Sequence, residues 1–197
     1  MQCAFAAPAA GSILVFGDSL SAAYGLSQHE SWVTLLEKQL RKEHPDYNVA
    51  NASISGETTG GGLARLPGVL ARQRPQVLVL ALGANDGLRG LPVGQMKQNL
   101  SAMVDLARKA KARVLLVGIR MPPNYGPEYT AAFEAAFASV AKQHGVAFLP
   151  SLLGGIGDKP EYFQPDRLHP TAAAQPLILE GVRKALAPLL GAPGARR

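Results

Sequence analysis

The strongest constraint on the fold is an alternation of short, continuously apolar runs with longer amphipathic segments. An apolar run without polar alternation is typical of a strand that is buried on both faces of a parallel sheet. Strands are therefore predicted at Ile13–Phe16, Tyr47–Asn51, Val77–Leu82, Val114–Ile119 and Val146–Leu149. Helices that connect parallel strands cover both faces of the sheet, so this alternation predicts an α/β protein.

The segments between these runs carry apolar residues at helical spacing. Helices are predicted at Ser31–His44, Val93–Ala112 and Pro127–His144. A last helical segment spans Thr171–Leu190, and we expect Pro176 to open its main helix, because a proline in a helix interior would break it. Five strands in this arrangement fit the flavodoxin-like order 2-1-3-4-5. The predicted architecture is a single-domain, flavodoxin-like three-layer α/β/α sandwich with a five-stranded parallel sheet.

The length of 197 residues suits one domain with one sizeable core. We expect this domain to span residues 12–190, with flexible segments at residues 1–11 and 191–197. The small residues near the start look like the end of a signal-peptide cleavage region, which favours a periplasmic or secreted protein. A native N-terminus would favour the cytoplasm instead. No apolar run approaches the ~20 residues that span a bilayer, so stable membrane insertion is not predicted.

Charge and composition exclude several other classes. The formal charge of +6 favours anionic ligands. The basic residues are spread over several predicted helices without interleaved aromatic residues, so nucleic-acid binding is not predicted. Cys3 is the only cysteine, which excludes an internal disulfide. The chain has no HExxH motif, P-loop or GxGxxG motif, and the run at Gly60–Gly62 is a weak signal alone, so neither a metal nor a cofactor is predicted.

Residue types used in acyl transfer follow the first three predicted strands. Ser19 follows the first strand, Gly56 the second and Asn85 the third. In the order 2-1-3-4-5 these strands are neighbours, and ligand sites of open α/β sheets lie at the carboxyl ends of the strands. Ser19 is the candidate nucleophile, and the Ser19 N–H, the Gly56 N–H and the Asn85 amide are candidate donors to an oxyanion. These residue types are also common in turns and helix caps, so alone they leave both roles open.

His169 is the candidate general base. It closes a long stretch without strong periodicity and follows Asp166 by three residues. Asp166 is placed to accept from one ring nitrogen, which leaves the other nitrogen for Ser19. Asp86 is a rival orienting carboxylate, which we rank lower because it adjoins Asn85. Ordinary explanations, in a polar loop or at helix C-termini, account for the other histidines: His29, His44 and His144.

The sequence resembles the SGNH, or GDSL-type, hydrolases from about Ile13 to Leu190. The four sequence blocks of that family occur in order and with typical spacing: Gly17-Asp18-Ser19-Leu20, Gly56, Gly83-x-Asn85-Asp86 and Asp166-x-x-His169. Longer stretches resemble more closely the bacterial multifunctional thioesterase I/lysophospholipase/arylesterase group. These are NASISGETTGGGLARLP, LGANDGLRGLPV, PPNYGPEYTAAF and DRLHPTAAAQPLIL.

The resemblance implies an SGNH hydrolase domain that acts on acyl thioesters, lysophospholipids and aryl or short-chain esters, usually in the periplasm. It assigns Ser19, Asp166 and His169 as a catalytic triad. It assigns Ser19, Gly56 and Asn85 as an oxyanion hole. It also suggests that the loop from Gly87 to Val93 helps to bind the acyl chain. The predicted substrate-binding residues are Asp18, Leu88, Arg89, Gly90, Leu91, Pro92, Met121 and Pro122. The chain departs from the family at Ala23, where glycine is more usual.

Two alternatives stay open at this point. A carbohydrate O-acetylesterase of the same superfamily would use the same residues on a sugar acetate. A flavodoxin-like module that binds a phosphate-bearing cofactor would account for the loop glycines and the positive charge, but it leaves Asn85 and the Asp166–His169 pair unexplained. In the favoured hypothesis the partner is a small ester or thioester with an acyl chain, and the protein is a monomer or a weak homo-oligomer.

Overall fold

The computed structural model describes residues 11–157 and 159–190 of the chain. In this part of the chain five parallel strands form one sheet in the order β2-β1-β3-β4-β5, which confirms the predicted order. The predicted strands are all present, with ends that differ from prediction by no more than two residues. Their bounds are β1 (Gly11–Gly17), β2 (Tyr47–Asn51), β3 (Val77–Ala81), β4 (Arg113–Val117) and β5 (Ala147–Leu149).

Helices cover the sheet in two groups: α1 packs against α6, while α2 and α5 both pack against α4. The chain moves from β1 to β2 in one direction and from β3 to β5 in the other, so right-handed crossovers place the two groups on opposite faces. This gives the predicted three-layer sandwich. The helix bounds are α1 (Trp32–Glu43), α2 (Thr59–Gln73), α3 (Ala84–Leu88), α4 (Val93–Lys109), α5 (Pro127–His144) and α6 (Gln175–Leu186).

Helices α2 and α3 were not predicted. Helix α2 contains three consecutive glycines near its start and Pro67 in its interior, both of which lower helix propensity. Tertiary packing stabilises it, because its apolar face, which includes Leu66, is buried against the core. Gly62 lies so close to Leu82 and Phe16 that a Cβ atom would collide with them. The glycine run therefore has a packing role within α2.

The segment after β1 is tied to the helical layer through Trp32, the first residue of α1. The buried Trp32 indole donates from Nε1 to the carbonyl oxygen of Leu20 over 3.1 Å. The backbone N–H of Trp32 donates to Oε1 of Gln175 in α6 over 2.9 Å. Because Leu20 directly follows Ser19, these bonds hold the end of the β1 turn against the core.

The predicted terminal segments lie almost wholly outside the described residues. Strand β1 already begins at Gly11, which pairs with Tyr47 of β2, so the strand starts one residue before the expected domain boundary. Residues 1–10 and 191–197 are outside the described ranges. Within those ranges no helix combines the length and the apolar character that a bilayer span requires.

Ala23, where the family that the sequence resembles more usually has glycine, has a left-handed backbone with φ of 62°. An L-residue other than glycine pays a steric cost of about 1–2 kcal/mol in this region. Gly25, two residues later, also has positive φ, at 70°. The two residues lie on either side of Tyr24, and the alanine adopts its conformation with backbone strain.

We expect Ala23→Gly to stabilise the protein by up to about 1 kcal/mol, because glycine adopts this conformation freely. In a domain of this size that gain corresponds to a rise in Tm of about 2–4 °C. Thermal unfolding followed by circular dichroism measures it. The matched control is Ala22→Gly, at a neighbour without positive φ, which we expect to lower Tm. A lower Tm for Ala23→Gly as well would contradict the strain argument.

Candidate active site

Ser19 lies in a tight turn directly after β1, at the carboxyl edge of the sheet. The carbonyl oxygen of Asp18 accepts hydrogen bonds from Ser21 N at 3.1 Å and Ala22 N at 2.9 Å. The Asp18 side chain accepts from Leu20 N at 3.0 Å. The turn thus satisfies its own backbone donors and holds Ser19 at the edge where ligands of such sheets bind.

The structure brings the three predicted triad residues together. Nε2 of His169 lies 2.8 Å from Oγ of Ser19. Nδ1 of His169 lies 2.7 Å from Oδ2 of Asp166. Both distances are those of hydrogen bonds, and they form the chain nucleophile–base–carboxylate that activates a serine for acyl transfer.

Asp166 is held as a carboxylate by three donors. Its Oδ1 accepts from the backbone N–H groups of Leu168 at 2.9 Å and His169 at 3.0 Å, while Oδ2 faces the imidazole. These bonds, above all the one from the His169 N–H, lower the pKa of Asp166 to about 2. An ionised Asp166 favours the tautomer with a proton on Nδ1, which leaves Nε2 free to accept from Ser19.

Two further residues hold the base, and the sequence analysis missed both. The ring of Tyr24 packs against the imidazole of His169, with 4.3 Å between ring centroids and 33° between the ring planes. Gln164 donates from Nε2 to the carbonyl oxygens of Tyr24 at 2.9 Å and Pro170 at 3.0 Å, and its backbone N–H donates to His169 O at 2.8 Å. Gln164 therefore ties the segment after the nucleophile to the loop of the base.

Of these two residues, only Tyr24 could have been identified from the sequence. Tyr24 lies five residues after Ser19, in a stretch that begins with the nucleophile turn. Gln164 lies 140 residues after Tyr24, whose carbonyl oxygen it binds, and no local sequence pattern indicates such a contact. Its role depends wholly on how the last loop folds over the first.

The predicted oxyanion donors lie in neighbouring segments that are hydrogen-bonded to each other. The chain after β2 stays beside β1, because Ile54 N donates to Gly17 O over 3.0 Å. Gly56 follows with φ of 79°, a conformation that favours glycine. Asn85 donates from Nδ2 to the carbonyl oxygen of Glu57 over 3.0 Å. This bond uses one hydrogen of the Asn85 amide and leaves the other available to a substrate.

Helix α3 places Asn85 at the carboxyl end of β3. Gly83 precedes the helix with φ of 126°, and a Cβ atom there would lie 2.7 Å from the Phe137 ring, so only glycine fits. Arg89, which follows α3, donates from Nη2 to the carbonyl oxygen of Gly56 over 2.9 Å. The Gly56 and Asn85 segments are therefore joined by two hydrogen bonds, and side chains of the Asn85 segment donate both.

Asp86 does not orient His169, in agreement with its lower rank. Its carboxylate is only 3% exposed and accepts from Thr59 N at 2.8 Å and Thr59 Oγ1 at 2.5 Å. Thr59 Oγ1 in turn accepts from Asn99 Nδ2 at 3.1 Å. Asp86 thus fixes the start of α2 against α3, which steadies the neighbouring Asn85.

The predicted acyl-binding loop is partly helical, since α3 continues to Leu88. Tyrosine hydroxyls hold this segment: Tyr125 donates to Leu88 O at 3.1 Å, and Tyr129 lies 3.3 Å from Gly87 O. Among the predicted substrate-binding residues the exposed ones are Arg89, Gly90, Leu91 and Pro92, the half-buried ones are Leu88 and Pro122, and the buried ones are Asp18 and Met121.

Asp18 is buried beneath the nucleophile, with 2% of its surface exposed. It borders a small cavity whose other lining groups, such as Leu82 and Ile119, are mainly apolar. Burial raises the pKa of Asp18 from 3.8 to about 7, and the nearby Asp86 and Glu57 carboxylates add to this effect. The hydrogen bond from Leu20 N opposes it only in part. Asp18 therefore titrates near neutral pH while supporting the turn of Ser19.

This raised pKa predicts a pH-dependent stability. Because the folded protein holds the Asp18 proton more tightly than the unfolded chain, the contribution of Asp18 to stability is present below about pH 4, is lost as the pH rises to about 7, and does not change above that. Asp18→Asn cannot titrate, so we expect its Tm relative to the parent to increase over that range. Thermal unfolding at a series of pH values measures the difference. A Tm difference that is independent of pH would contradict the raised pKa.

A second serine–histidine–aspartate group joins α4 and α5, away from the carboxyl ends of the strands where Ser19 lies. Oγ of Ser101 lies 2.6 Å from Nε2 of His144, and Nδ1 of His144 lies 3.3 Å from Asp105. His144 is the last residue of α5, so it lies at a helix C-terminus, as the sequence indicated. Ser101 lies inside α4, where backbone N–H groups are used by the helix and none is left for an oxyanion. This group is therefore a natural control for the candidate active site.

Comparison with known proteins gives consistent matches. Residues 15–176 match the GDSL-like lipase/acylhydrolase family. The chain is 51% identical over 182 residues to the esterase TesA of Pseudomonas aeruginosa, which covers 92% of this chain and 90% of that protein. It is 41% identical over 186 residues to the thioesterase 1/protease 1/lysophospholipase L1 of Escherichia coli strain K12, covering 94% and 88% of the two chains.

A solved structure agrees with these sequence matches. The psychrotrophic esterase EstA from Pseudoalteromonas sp., in a structure inhibited by monoethylphosphonate, has a TM-score of 0.86 and 42% identity to this chain. The match covers 90% of this chain and 97% of that one.

Proposed function

The chain belongs to the GDSL-like lipase/acylhydrolase family and is a serine esterase or thioesterase of that family, and we propose that Ser19, His169 and Asp166 perform its acyl transfer. The observation that carries the proposal is the continuous pair of hydrogen bonds from Ser19 Oγ through the imidazole to Asp166, at 2.8 Å and 2.7 Å. The binding-module alternative does not fit an esterase family, so we set it aside.

In the proposed mechanism, Ser19 Oγ attacks the acyl carbonyl carbon while His169 Nε2 takes its proton. Asp166 stabilises the resulting imidazolium through Nδ1. The Ser19 N–H, the Gly56 N–H and the Asn85 amide donate to the oxyanion of the tetrahedral intermediate.

The intermediate then collapses in two stages. The bond to the leaving alcohol or thiol breaks, and His169 gives that group the proton, which leaves an acyl-enzyme on Ser19. Water attacks the acyl group as His169 takes a water proton. The carboxylic acid is then released and Ser19 regains its hydrogen.

The enzyme acts on small ester substrates, as its relatives' names indicate. We extend the proposal to aryl and short-to-medium acyl esters, acyl-CoA and lysophospholipids, because relatives are named thioesterase and lysophospholipase. The exposed segment after α3, with Leu91 and Pro92, supports acyl binding by offering apolar surface next to Asn85. The periplasmic or secreted location and the monomeric or weakly oligomeric state stay predictions.

Labelling with an organophosphate tests the nucleophile. We expect a covalent adduct on Ser19, located by peptide mass spectrometry, because its hydroxyl is activated and its oxyanion site is provided with donors. Ser101 serves as internal control, since it has a histidine and a carboxylate but no free N–H donors. Ser101→Ala should label like the parent and Ser19→Ala should not label. An adduct on Ser101, or none on Ser19 in folded protein, would overturn the assignment.

We expect Asn85→Ala to fold normally and to lose about 10²–10³-fold in kcat, the usual effect of removing one oxyanion donor. Steady-state hydrolysis of p-nitrophenyl acetate measures the loss, and circular dichroism confirms folding. Asn48→Ala is a matched control, because Asn48 is an exposed asparagine near the start of β2. It lies toward the amino-terminal ends of the strands, whereas the candidate site lies at their carboxyl ends. Turnover near the parental value in Asn85→Ala would remove that residue from the oxyanion site.

Acyl-chain dependence tests the substrate class. Hydrolysis of p-nitrophenyl esters from acetyl to palmitoyl, with Ser19→Ala in parallel, separates the two remaining substrate hypotheses. Activity on medium or long chains supports the thioesterase/lysophospholipase proposal. Activity confined to acetyl esters would favour the carbohydrate O-acetylesterase, because a pocket for acetate excludes longer chains.

A further inference from the structure

The described part of the chain exposes four large apolar side chains, and each lies beside the candidate active site. We call them the apolar rim: Tyr24, Ile54, Leu91 and Leu168, with 51%, 48%, 38% and 39% of their surface exposed. Single exposed apolar residues scattered over a surface are normal in proteins. No other large apolar side chain is exposed on the surface that the structure describes. A concentration of exposed apolar side chains in one place marks an interaction site.

Two of the rim residues, Tyr24 and Leu168, flank the triad directly. Leu168 lies between Asp166 and His169, and its N–H is one of the donors to the Asp166 carboxylate. The Tyr24 ring packs against the His169 ring with 4.3 Å between centroids. Their exposed surfaces are therefore next to the base.

The other two rim residues flank the proposed oxyanion donors. Ile54 lies two residues before Gly56 and is held beside β1 by its bond to Gly17 O, at 3.0 Å. Leu91 N donates to Asp86 O over 2.9 Å, which places Leu91 next to the turn of Asn85. The four side chains thus belong to the loops at one edge of the sheet.

Two unpaired cations accompany the apolar rim. Arg89 and Arg167 are exposed, and neither forms an ion pair with any residue that the structure describes. Two acids of these loops already have partners, Asp166 with His169 and Glu57 with Arg65. The edge therefore combines apolar surface with positive charge, in a protein whose formal charge is +6.

We propose that the apolar rim, together with Arg89 and Arg167, docks the protein on the surface of an anionic lipid aggregate. Apolar side chains insert at the boundary between headgroups and acyl chains, and arginines are attracted to anionic headgroups. Docking in this orientation presents the catalytic serine to acyl esters at the lipid surface; this functional meaning, unlike the docking itself, rests on the proposed function. A symmetric pairing of two rims is disfavoured, because it would bring the same two unpaired cations of each copy together.

Vesicle binding tests the proposal, with the full chain carrying Ser19→Ala so that no lipid is hydrolysed. We expect co-sedimentation with vesicles of phosphatidylglycerol and phosphatidylcholine in equal parts, weaker binding to phosphatidylcholine alone, and release by salt. Adding Ile54→Glu should weaken binding by about tenfold or more, since it replaces apolar surface with a negative charge. Ile54→Ser, which adds no charge, should weaken it less.

The matched control is Gln143→Glu, which makes the same change of charge on an exposed position near the C-terminal end of α5, at the opposite edge of the sheet. It should bind vesicles like the Ser19→Ala parent. Ile54→Glu should keep the circular dichroism spectrum and the Tm of the Ser19→Ala parent, which shows that the fold is intact.

Three results would overturn the docking proposal. These are no binding to either kind of vesicle, equal weakening by Ile54→Glu and Gln143→Glu, and a dimer in sedimentation analysis that Ile54→Glu dissociates while vesicles are not bound. In the last case a second copy covers the rim. Ester hydrolysis without vesicle binding would reject docking alone, whereas vesicle binding by a protein without Ser19-dependent hydrolysis would support docking and reject the proposed function.

Discussion

The candidate active site depends on one constraint, the parallel pairing of β1 with β2 on one side and β3 on the other. Parallel strands end at the same edge, so the turns that follow these three strands must lie side by side. The bond from Ile54 N to Gly17 O extends this pairing beyond β2 and keeps the Gly56 segment against the nucleophile turn. Every proposed oxyanion donor is placed by this arrangement.

The base reaches the nucleophile from the other end of the chain, and it is held by different contacts. Gln164 donates to the carbonyl oxygens of Tyr24 and Pro170, and the Tyr24 ring packs against the His169 ring. The Tyr24 ring restrains the imidazole of His169, and the hydrogen bonds of Gln164 restrain the backbone of the loop that carries it. The site is therefore assembled from a rigid sheet edge and a loop that is fastened to it.

Environment separates groups that look alike in sequence. Asp166 accepts three hydrogen bonds and has a lowered pKa, whereas the buried Asp18 has a raised one. Two serine–histidine–aspartate groups exist in the described chain, but only that of Ser19 lies at the sheet edge beside potential oxyanion donors. The type of a residue determines which reactions its side chain can take part in, and its position in the fold determines whether the groups needed for the reaction lie beside it.

The sequence by itself determined the sheet order and, to within one residue, the bounds of α1 and α5, because continuous apolar runs and helical spacing are local signals. It also predicted the residues of the proposed triad, from their types and from the resemblance to a known family. Helices α2 and α3 escaped prediction, since their glycines and Pro67 oppose helix formation and only packing against residues such as Leu82 offsets this. Tertiary structure alone decided the hydrogen bonds of Gln164 and the contact between the Tyr24 and His169 rings. It also decided that the four side chains of the apolar rim lie together. Each joins segments far apart in the chain, and no local pattern encodes which distant segments will meet.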